Sequence, residues 1–253
     1  MEGYNVNIIS NKQTVNKIDY PYEIWIIDNF LNNDVIQNIL KEWLPNDHKN
    51  WYKTRDVING KKNILECGML GINNPELMPD YTRSVVRYLH TQEFTDYLSN
   101  LLNIESLICD TYMRWSGMRV MLPDSFQLIH SDARKHIETG LTKHLTCLLY
   151  LNDGYIRSRD EGCLQIWDDN MKNCIHEIEP ISNRLTVFIN SDTSYHGVPI
   201  VKSDRKAITF SILKNKENTD RTKALFVKRP NDFDLVESEG LDRLKEKDPR
   251  TIY

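Results

Sequence analysis

An apolar run of strand length spans residues 144–151, which read His144-Leu145-Thr146-Cys147-Leu148-Leu149-Tyr150-Leu151. Similar runs lie on both sides of it and are separated by turn-forming residues, a pattern typical of β-rich folds. The candidate strands from residue 107 onward are 107–113, 118–122, 126–131, 144–151, 163–167, 175–179, 185–190, 196–201, 206–213 and 224–228. Many short strands in succession predict a sandwich or jelly roll, so the predicted fold class is mainly β with flanking α-helices.

Two helical patterns precede these strands. Residues 34–44 carry apolar side chains at i, i+4 spacing and end at Pro45, and residues 80–102 repeat the pattern with an expected break near Thr91. A helix with one apolar stripe buries that stripe, so we expect both helices to pack on the outside of a sheet. A first strand is predicted at 24–27, while 1–22 give no assignment and 46–79 read as loop-rich.

The length of 253 residues is compatible with a single domain. We interpret the whole chain, 1–253, as one domain with three parts. The parts are an N-terminal strand with supporting helices (1–106), the β core (107–213) and a charged C-terminal extension (214–253), in which 235–246 could form a short helix.

Charge and cysteine content narrow the class of protein. The formal net charge is −4, so no global positive field favours a nucleic-acid partner. The five cysteines include no Cys-x-x-Cys pair, which argues against a disulfide framework and against a structural zinc site. No signal-type or membrane-length apolar run occurs in the sequence. We therefore expect a soluble cytoplasmic protein without a nucleic-acid or membrane partner.

Two histidines and one carboxylate stand beside strand-like runs. His130 and Asp132 are separated by one residue, so in a strand both point to the same side and can bind one ion. His196 follows the turn at 191–194 and would come from a neighbouring strand. Two imidazoles and one carboxylate are the ligand set of a non-haem Fe(II) site with open positions. Arg205, which precedes the run 206–213, is placed to bind an anionic cosubstrate beside that metal.

A longer ordered pattern surrounds these residues. It comprises His130-x-Asp132, residues 143–152, Glu161-Gly162-Cys163-Leu164-Gln165-Ile166-Trp167, Ile178-Glu179-Pro180, residues 183–188, Ser191-Asp192-x-Ser194-Tyr195-His196 and Arg205-x-Ala207-Ile208-Thr209. This pattern resembles the core of the Fe(II)/2-oxoglutarate oxygenases of the prolyl-4-hydroxylase type. The resemblance implies a double-stranded β-helix (jelly roll, cupin-like) and a dioxygenase that hydroxylates an aliphatic C–H bond.

The same resemblance implies roles for six residues. His130, Asp132 and His196 would hold Fe(II) as the catalytic centre, and Arg205 would bind the distal carboxylate of 2-oxoglutarate. Tyr150 and Thr209 would help to bind that carboxylate, although Tyr150 could equally be a core tyrosine and Thr209 could simply belong to a strand face. The implied cofactors are Fe(II), 2-oxoglutarate and O2, with ascorbate as a candidate reductant.

Two departures from the family pattern bear on the substrate. The strand before His130 contains residues 118–122 without the aromatic residue that usually contacts the cosubstrate, and Glu161-Gly162 replaces a doubled glycine. These departures put prolyl hydroxylation in particular in doubt. A prolyl residue in a protein or peptide stays slightly ahead of a small metabolite or a glycan as the predicted substrate.

Other interpretations stay open at this point. The rival classes are a non-catalytic cupin-like binding module and a hydrolase or isomerase that uses His and Asp with another metal; the second has no need of Arg205. Loop 153–161 is either a lid or an ordinary connection. Candidate residues at the mouth of the site are Trp115, Arg119, Tyr155, Arg157, Arg159 and Trp167.

Overall fold

The computed structural model describes residues 8–53, 57–58, 61–62, 66–215 and 219–227. The helices α1 to α4 are Asn33–Lys41, Asp80–Tyr88, Gln92–Leu102 and Arg157–Asp160, and a single 3-10 turn is Pro75–Leu77. The strands β1 to β15 are Thr14–Ile18, Ile24–Asp28, Tyr52–Lys53, Val57–Ile58, Lys61–Lys62, Glu66–Ile72, Ile108–Cys109, Gly117–Ser131, Thr142–Tyr150, Leu164–Trp167, Cys174–Ile178, Leu185–Ile189, His196–Val198, Arg205–Lys214 and Leu225–Val227. None of the described helices has the length and apolar character needed to cross a membrane.

Most of the described strands form one curled antiparallel sheet, in the order β1-β2-β12-β9-β14-β8-β13-β10-β11. The long strand β8 connects its two halves. Its first residues, 117–121, pair with β14, and its later residues pair with β13 and β15. Between these stretches lie the exposed Pro123 and Asp124, and Asp124 has a φ of 64°. The prediction of a mainly β fold with flanking helices is confirmed.

The alternation of side chains along β9 and β14 separates a core face from a cavity face. Leu145, Cys147 and Leu149 of β9 lie in one buried cluster with the apolar faces of helices α1 to α3. The intervening residues, Thr146 and Leu148, line a cavity on the opposite face. Since successive side chains of a strand point to opposite faces, packing the helices on one face leaves the other free to form a site.

The helices follow the predicted pattern. The stretch 80–102 is divided into α2 and α3 at Thr91, whose hydroxyl accepts the backbone N–H of Phe94 as an N-cap. Helix α1 ends at Lys41, before Pro45. The helix predicted at 235–246 lies outside the described residues.

Several predicted strand boundaries were wrong. The runs 118–122 and 126–131 belong to one strand, because β8 continues through Pro123 where it changes partners. The run 107–113 contains only β7, since the Asp110 carboxylate accepts backbone N–H groups of Tyr112 and Arg114 and forms a turn. The run 196–201 ends at Val198, before Pro199.

Strands β1, β3 and β6 were missed in segments without a clear apolar alternation. All of β1 except its last residue is exposed, so it carries no alternating pattern. Strand β6 contains Gly68 at a φ of 65°, beside a register shift against β8. A glycine in this conformation interrupts a strand pattern in the sequence while allowing a bulge in the sheet.

Candidate metal centre and cosubstrate site

Two adjacent strands bring the predicted metal ligands together. His196 of β13 lies opposite His130 of β8 in the sheet, and their ring centroids are 4.3 Å apart. Asp132 directly follows β8, and its Oδ1 lies 3.5 Å from His130 Nε2 and 3.9 Å from His196 Nε2. One ligand atom from each of the three residues lies within 4.8 Å of the others, so the three side chains could hold one metal ion.

Both imidazole rings are oriented by backbone carbonyl groups. Nδ1 of His130 donates to the carbonyl of Leu128 over 2.8 Å, and Nδ1 of His196 donates to the carbonyl of Ser194 over 2.9 Å. A carbonyl can only accept, so these contacts place the ring proton on Nδ1 and leave the Nε2 lone pair facing Asp132. Such contacts are the usual outer partners of metal-binding histidines.

Asp132 uses its two oxygens differently. Oδ2 accepts hydrogen bonds from Lys143 Nζ at 2.6 Å and from Thr146 Oγ1 at 2.8 Å, while Oδ1 faces the histidines. Burial opposes ionisation, but the Lys143 ammonium is the largest influence in the other direction, and the pKa of Asp132 lies well below its ordinary value. Asp132 is therefore a carboxylate at neutral pH.

His196 is held in its neutral form. Burial, together with the nearby His130, lowers the pKa of His196 to about 3. A histidine must be deprotonated at the coordinating nitrogen to bind a metal, so this environment favours the form that a metal needs. The donor set therefore fits Fe(II) both in chemical type and in protonation state.

Arg205 lies at the start of β14, facing the same cavity. Its Nε donates to the carbonyl of Gly162 over 2.8 Å, and one Nη donates to the Tyr150 hydroxyl over 3.2 Å. The guanidinium carbon lies 4.9 Å from the centre of the Tyr150 ring, close enough for a cation–π contact. Burial raises the pKa of Tyr150, so its hydroxyl stays protonated. These contacts fix the guanidinium while leaving other N–H groups for an anion.

Thr209 and Met121 complete this end of the cavity. Thr209 lies two positions after Ala207 on β14, lines the cavity, and donates its hydroxyl to the carbonyl of Trp115 over 3.3 Å. Met121 lies on the strand where the expected aromatic residue is missing, and its sulfur is 3.8 Å from Arg205 Nη1. A thioether thus lies beside the guanidinium in the cavity of this chain.

The cavity has a volume of about 380 Å³ and opens between β8, β9 and β14. Its described lining residues are Tyr52, Met69, Asn73, Arg114, Trp115, Arg119, Met121, Gln127, His130, Asp132, Lys143, Thr146, Leu148, Leu164, His196, Val198, Arg205, Ala207 and Thr209. Tyr150 lies behind Arg205 and reaches the site through its contact with that residue.

Of the six residues predicted at the mouth, Trp115 and Arg119 line the cavity. Trp167 is buried elsewhere against Ile129, Met171 and Tyr195. The other three, Tyr155, Arg157 and Arg159, belong to loop 153–161, which forms contacts within itself and with neighbouring loops and strands. None of that loop lies among the described residues that line the cavity, which favours an ordinary connection over a lid.

Sequence reasoning missed the polar partners of the ligands. Lys143 and Thr146 lie on β9, which is separated from β8 by β14 in the sheet, and only the folded sheet brings them to Asp132. Their signal was indirect. Both residues belong to the ordered pattern at 143–152, but they are three positions apart and would point to opposite faces of a regular strand; β9 has a register shift against β14 between them.

Comparisons with known proteins agree with this geometry. Residues 117–212 match the family model of the 2OG-Fe(II) oxygenase superfamily. A comparison with curated protein sequences finds no match.

Three solved structures share the fold at low sequence identity. One is a prolyl hydroxylase from Trichoplax adhaerens in complex with a hypoxia inducible factor oxygen degradation domain peptide fragment. It is 15% identical, with 76% of this chain and 83% of that chain covered and a TM-score of 0.55. A prolyl-4-hydroxylase from Pseudomonas putida is 14% identical, with 76% and 92% covered and a TM-score of 0.53. A prolyl 4-hydroxylase from Phytophthora capsici is 17% identical, with 78% and 60% covered and a TM-score of 0.54.

These likenesses confirm the predicted fold, a double-stranded β-helix of jelly-roll type. The family match covers the strands from β8 to β14, which carry His130, His196 and Arg205 and, directly after β8, Asp132. Residues 117–212 therefore match the 2OG-Fe(II) oxygenases, which are dioxygenases that use Fe(II), 2-oxoglutarate and O2, and the chain has a prolyl-4-hydroxylase-like fold.

Proposed function

We propose that this chain hydroxylates an aliphatic C–H bond in its cavity, with Fe(II) held by His130, Asp132 and His196. The observation that carries the proposal is the convergence of the three ligand atoms within 4.8 Å of one another on the wall of that cavity. Bound Fe(II) supplies the redox chemistry that couples O2 and 2-oxoglutarate to hydroxylation, with succinate and CO2 as the other products.

The residues of the chain position the reactants. Arg205 would form a two-point ion pair with the distal carboxylate of 2-oxoglutarate, since a planar guanidinium matches a carboxylate geometrically. Tyr150 would support Arg205 from behind, and Thr209 would lie beside the same carboxylate. Lys143 and Thr146 would keep one oxygen of Asp132 engaged, so that the other oxygen faces the metal.

A prolyl residue in a protein or peptide is the first candidate substrate. Its support is the likeness of the fold to prolyl hydroxylases, one of which was solved with a peptide fragment bound. The exposed Tyr52 at the cavity would give a peptide an aromatic surface to contact. Met121, in place of the expected aromatic residue, is the feature that weakens this candidate.

A small anionic metabolite is the second candidate. Four cationic residues line the cavity, Arg114, Arg119, Lys143 and Arg205, whereas Asp132 is the acidic residue among the described lining residues. A cavity lined mainly by one sign of charge concentrates ligands of the opposite sign. A substrate that carries a carboxylate or phosphate would suit this lining, while the overall charge of the chain is −4.

One experiment tests the activity and ranks the substrates. Anaerobic protein with Fe(II) and 2-oxoglutarate should show a weak visible charge-transfer band, and succinate should appear after O2 is admitted. Proline-containing peptides and a panel of carboxylated and phosphorylated metabolites are then tested for the gain of one oxygen atom by mass spectrometry. If neither the band nor succinate appears, a non-catalytic binding module is favoured. His196→Ala is the matched inactive control.

A further inference from the structure

Residues 219–227, which follow the β core, lie against the strand that carries His130. Strand β15 pairs with β8, and Phe226 lies opposite His130 with stacked rings whose centroids are 5.0 Å apart. Phe226 is 1% exposed, so this segment is packed against the sheet. The family match ends at residue 212, before this segment begins. The segment is therefore a feature of this chain beyond the matched core.

Arg221 makes the most extensive polar contacts of this segment. Its Nη1 donates to the carbonyl and the hydroxyl of Ser131 over 3.1 and 3.2 Å. Its Nη2 donates to the carbonyl of Ser191 over 3.3 Å, and its Nε donates to an Asp192 carboxylate oxygen over 3.1 Å. The Arg221 carbonyl in turn accepts the backbone N–H groups of Arg134 and Lys135 over 2.9 and 2.8 Å.

These contacts reach the His130–Asp132 segment through Ser131, and they reach His196 through Ser191 and Ser194. Ser131 lies between His130 and Asp132 in the sequence. Ser191 is tied to Ser194 because its N–H donates to the Ser194 hydroxyl over 2.9 Å, and that hydroxyl donates back to the Ser191 carbonyl. The Ser194 carbonyl orients the His196 ring. One guanidinium therefore connects the backbone of the His-x-Asp motif to the turn that orients His196.

We propose that Arg221 is a positioning residue of the metal centre, which fixes the separation between the His130–Asp132 segment and His196. The inference rests on the proposed metal site. Arg221 does not contact the ligand atoms; it acts through Ser131 and the turn at 191–194. Its side chain is only 15% exposed, whereas that of Asp192 is 63% exposed, so the contact with Asp192 alone would resemble an ordinary surface ion pair. The bonds to Ser131 and Ser191 distinguish Arg221 from such a pair.

The test measures metal affinity apart from turnover. Mn(II) and Co(II) are titrated into the metal-free full-length protein without 2-oxoglutarate, and binding is followed by electron paramagnetic resonance and by visible absorption. Removing an outer partner of metal ligands typically weakens metal binding about 10- to 100-fold, and we expect Arg221→Ala to fall near the lower end. Arg221→Lys keeps the charge but cannot span the same acceptors, so we expect an intermediate affinity.

Arg83→Ala is the matched control, because Arg83 is a partly buried arginine of helix α2 that forms ion pairs with Asp80 of the same helix and with Glu76 of the preceding 3-10 turn. It should leave metal affinity within about twofold of the wild type. Thermal unfolding of each metal-free variant shows whether a loss of metal affinity is accompanied by a loss of folded stability. Wild-type metal affinity in Arg221→Ala or in Arg221→Lys would overturn the inference, whatever happens to the melting temperature. If His196→Ala binds metal as well as the wild type does, the proposed metal site itself is wrong.

Discussion

Replacing Arg205 by lysine separates the charge of the residue from its shape. In the structure, Nε of Arg205 is bonded to the Gly162 carbonyl and one Nη to the Tyr150 hydroxyl. The remaining N–H groups are left for the distal carboxylate of 2-oxoglutarate. A lysine keeps the charge, but its single nitrogen cannot maintain these contacts and also bind a carboxylate at two points.

The expected loss follows from the missing hydrogen bond. A hydrogen bond to a charged group contributes about 1.5–3 kcal/mol, and about 1.4 kcal/mol corresponds to a tenfold change in affinity. Losing one such bond should weaken 2-oxoglutarate binding in Arg205→Lys about 10- to 150-fold. Titration of 2-oxoglutarate into the anaerobic Fe(II) protein, followed by the visible charge-transfer band, measures this affinity directly.

Two further measurements make the result specific. Fe(II) affinity without 2-oxoglutarate should be unchanged, because Arg205 is not one of the proposed ligands. Lys206→Ala is the matched control, since the adjacent side chain points to the other face of β14 and is not among the described residues that line the cavity. If Arg205→Lys binds 2-oxoglutarate as tightly as the wild type, another residue binds the distal carboxylate, and the role that the family resemblance implies for Arg205 is wrong.

Three other predictions address metal binding, acid stability and the core. His196→Ala should abolish Fe(II)-dependent turnover and Mn(II) binding, and a variant that retains both would contradict the proposed ligand set. The Arg159 guanidinium, despite opposing burial, and the Ile156 N–H and Ser203 hydroxyl hold the pKa of Asp160 well below its ordinary value. The stability that this carboxylate contributes is therefore complete above about pH 4 and is lost as the pH falls through the lower pKa of Asp160 in the folded protein. Asp160→Asn should therefore destabilise the protein at pH 7 and flatten the decline of its urea midpoint below about pH 4. Phe210→Ala should lower the free energy of unfolding by about 3–5 kcal/mol, since the side chain is 1% exposed and its ring packs on Phe94; a loss below about 1 kcal/mol in urea titrations would refute this packing argument.

The sequence predicted the parts of the fold in which burial follows a regular period. Strands β9 and β14 have one face against the helices, and helices α1 to α3 each bury one stripe, so their apolar positions recur at intervals of two or of three to four residues. Strand β1 buries little and β6 contains Gly68 in a bulge, so both form through pairing with neighbouring strands. Backbone pairing of this kind leaves no period in the side chains and was missed.

The residues of the site divide in the same way. Some could be predicted from their neighbours in the sequence, and others are brought together only by the folded sheet. A spacing of two residues in a strand was enough to predict that His130 and Asp132 face one side. The turn at 191–194 and the strand-like run after it predicted His196 as the third ligand from a neighbouring strand, and the resemblance to a known family implied the same ligand set, but the identity of the partner strand was not encoded locally. Arg221 gave no local signal and Lys143 only its place in the ordered pattern at 143–152, because a charged residue in or beside a strand is usually solvated. Their contacts with Asp132 and with Ser131 exist only after β9 has joined the sheet beside β14 and the segment at 219–227 has paired with β8. Burial of the Lys143 ammonium and partial burial of the Arg221 guanidinium are costly without partners, so the fold that brings the ligands together must also provide acceptors for both.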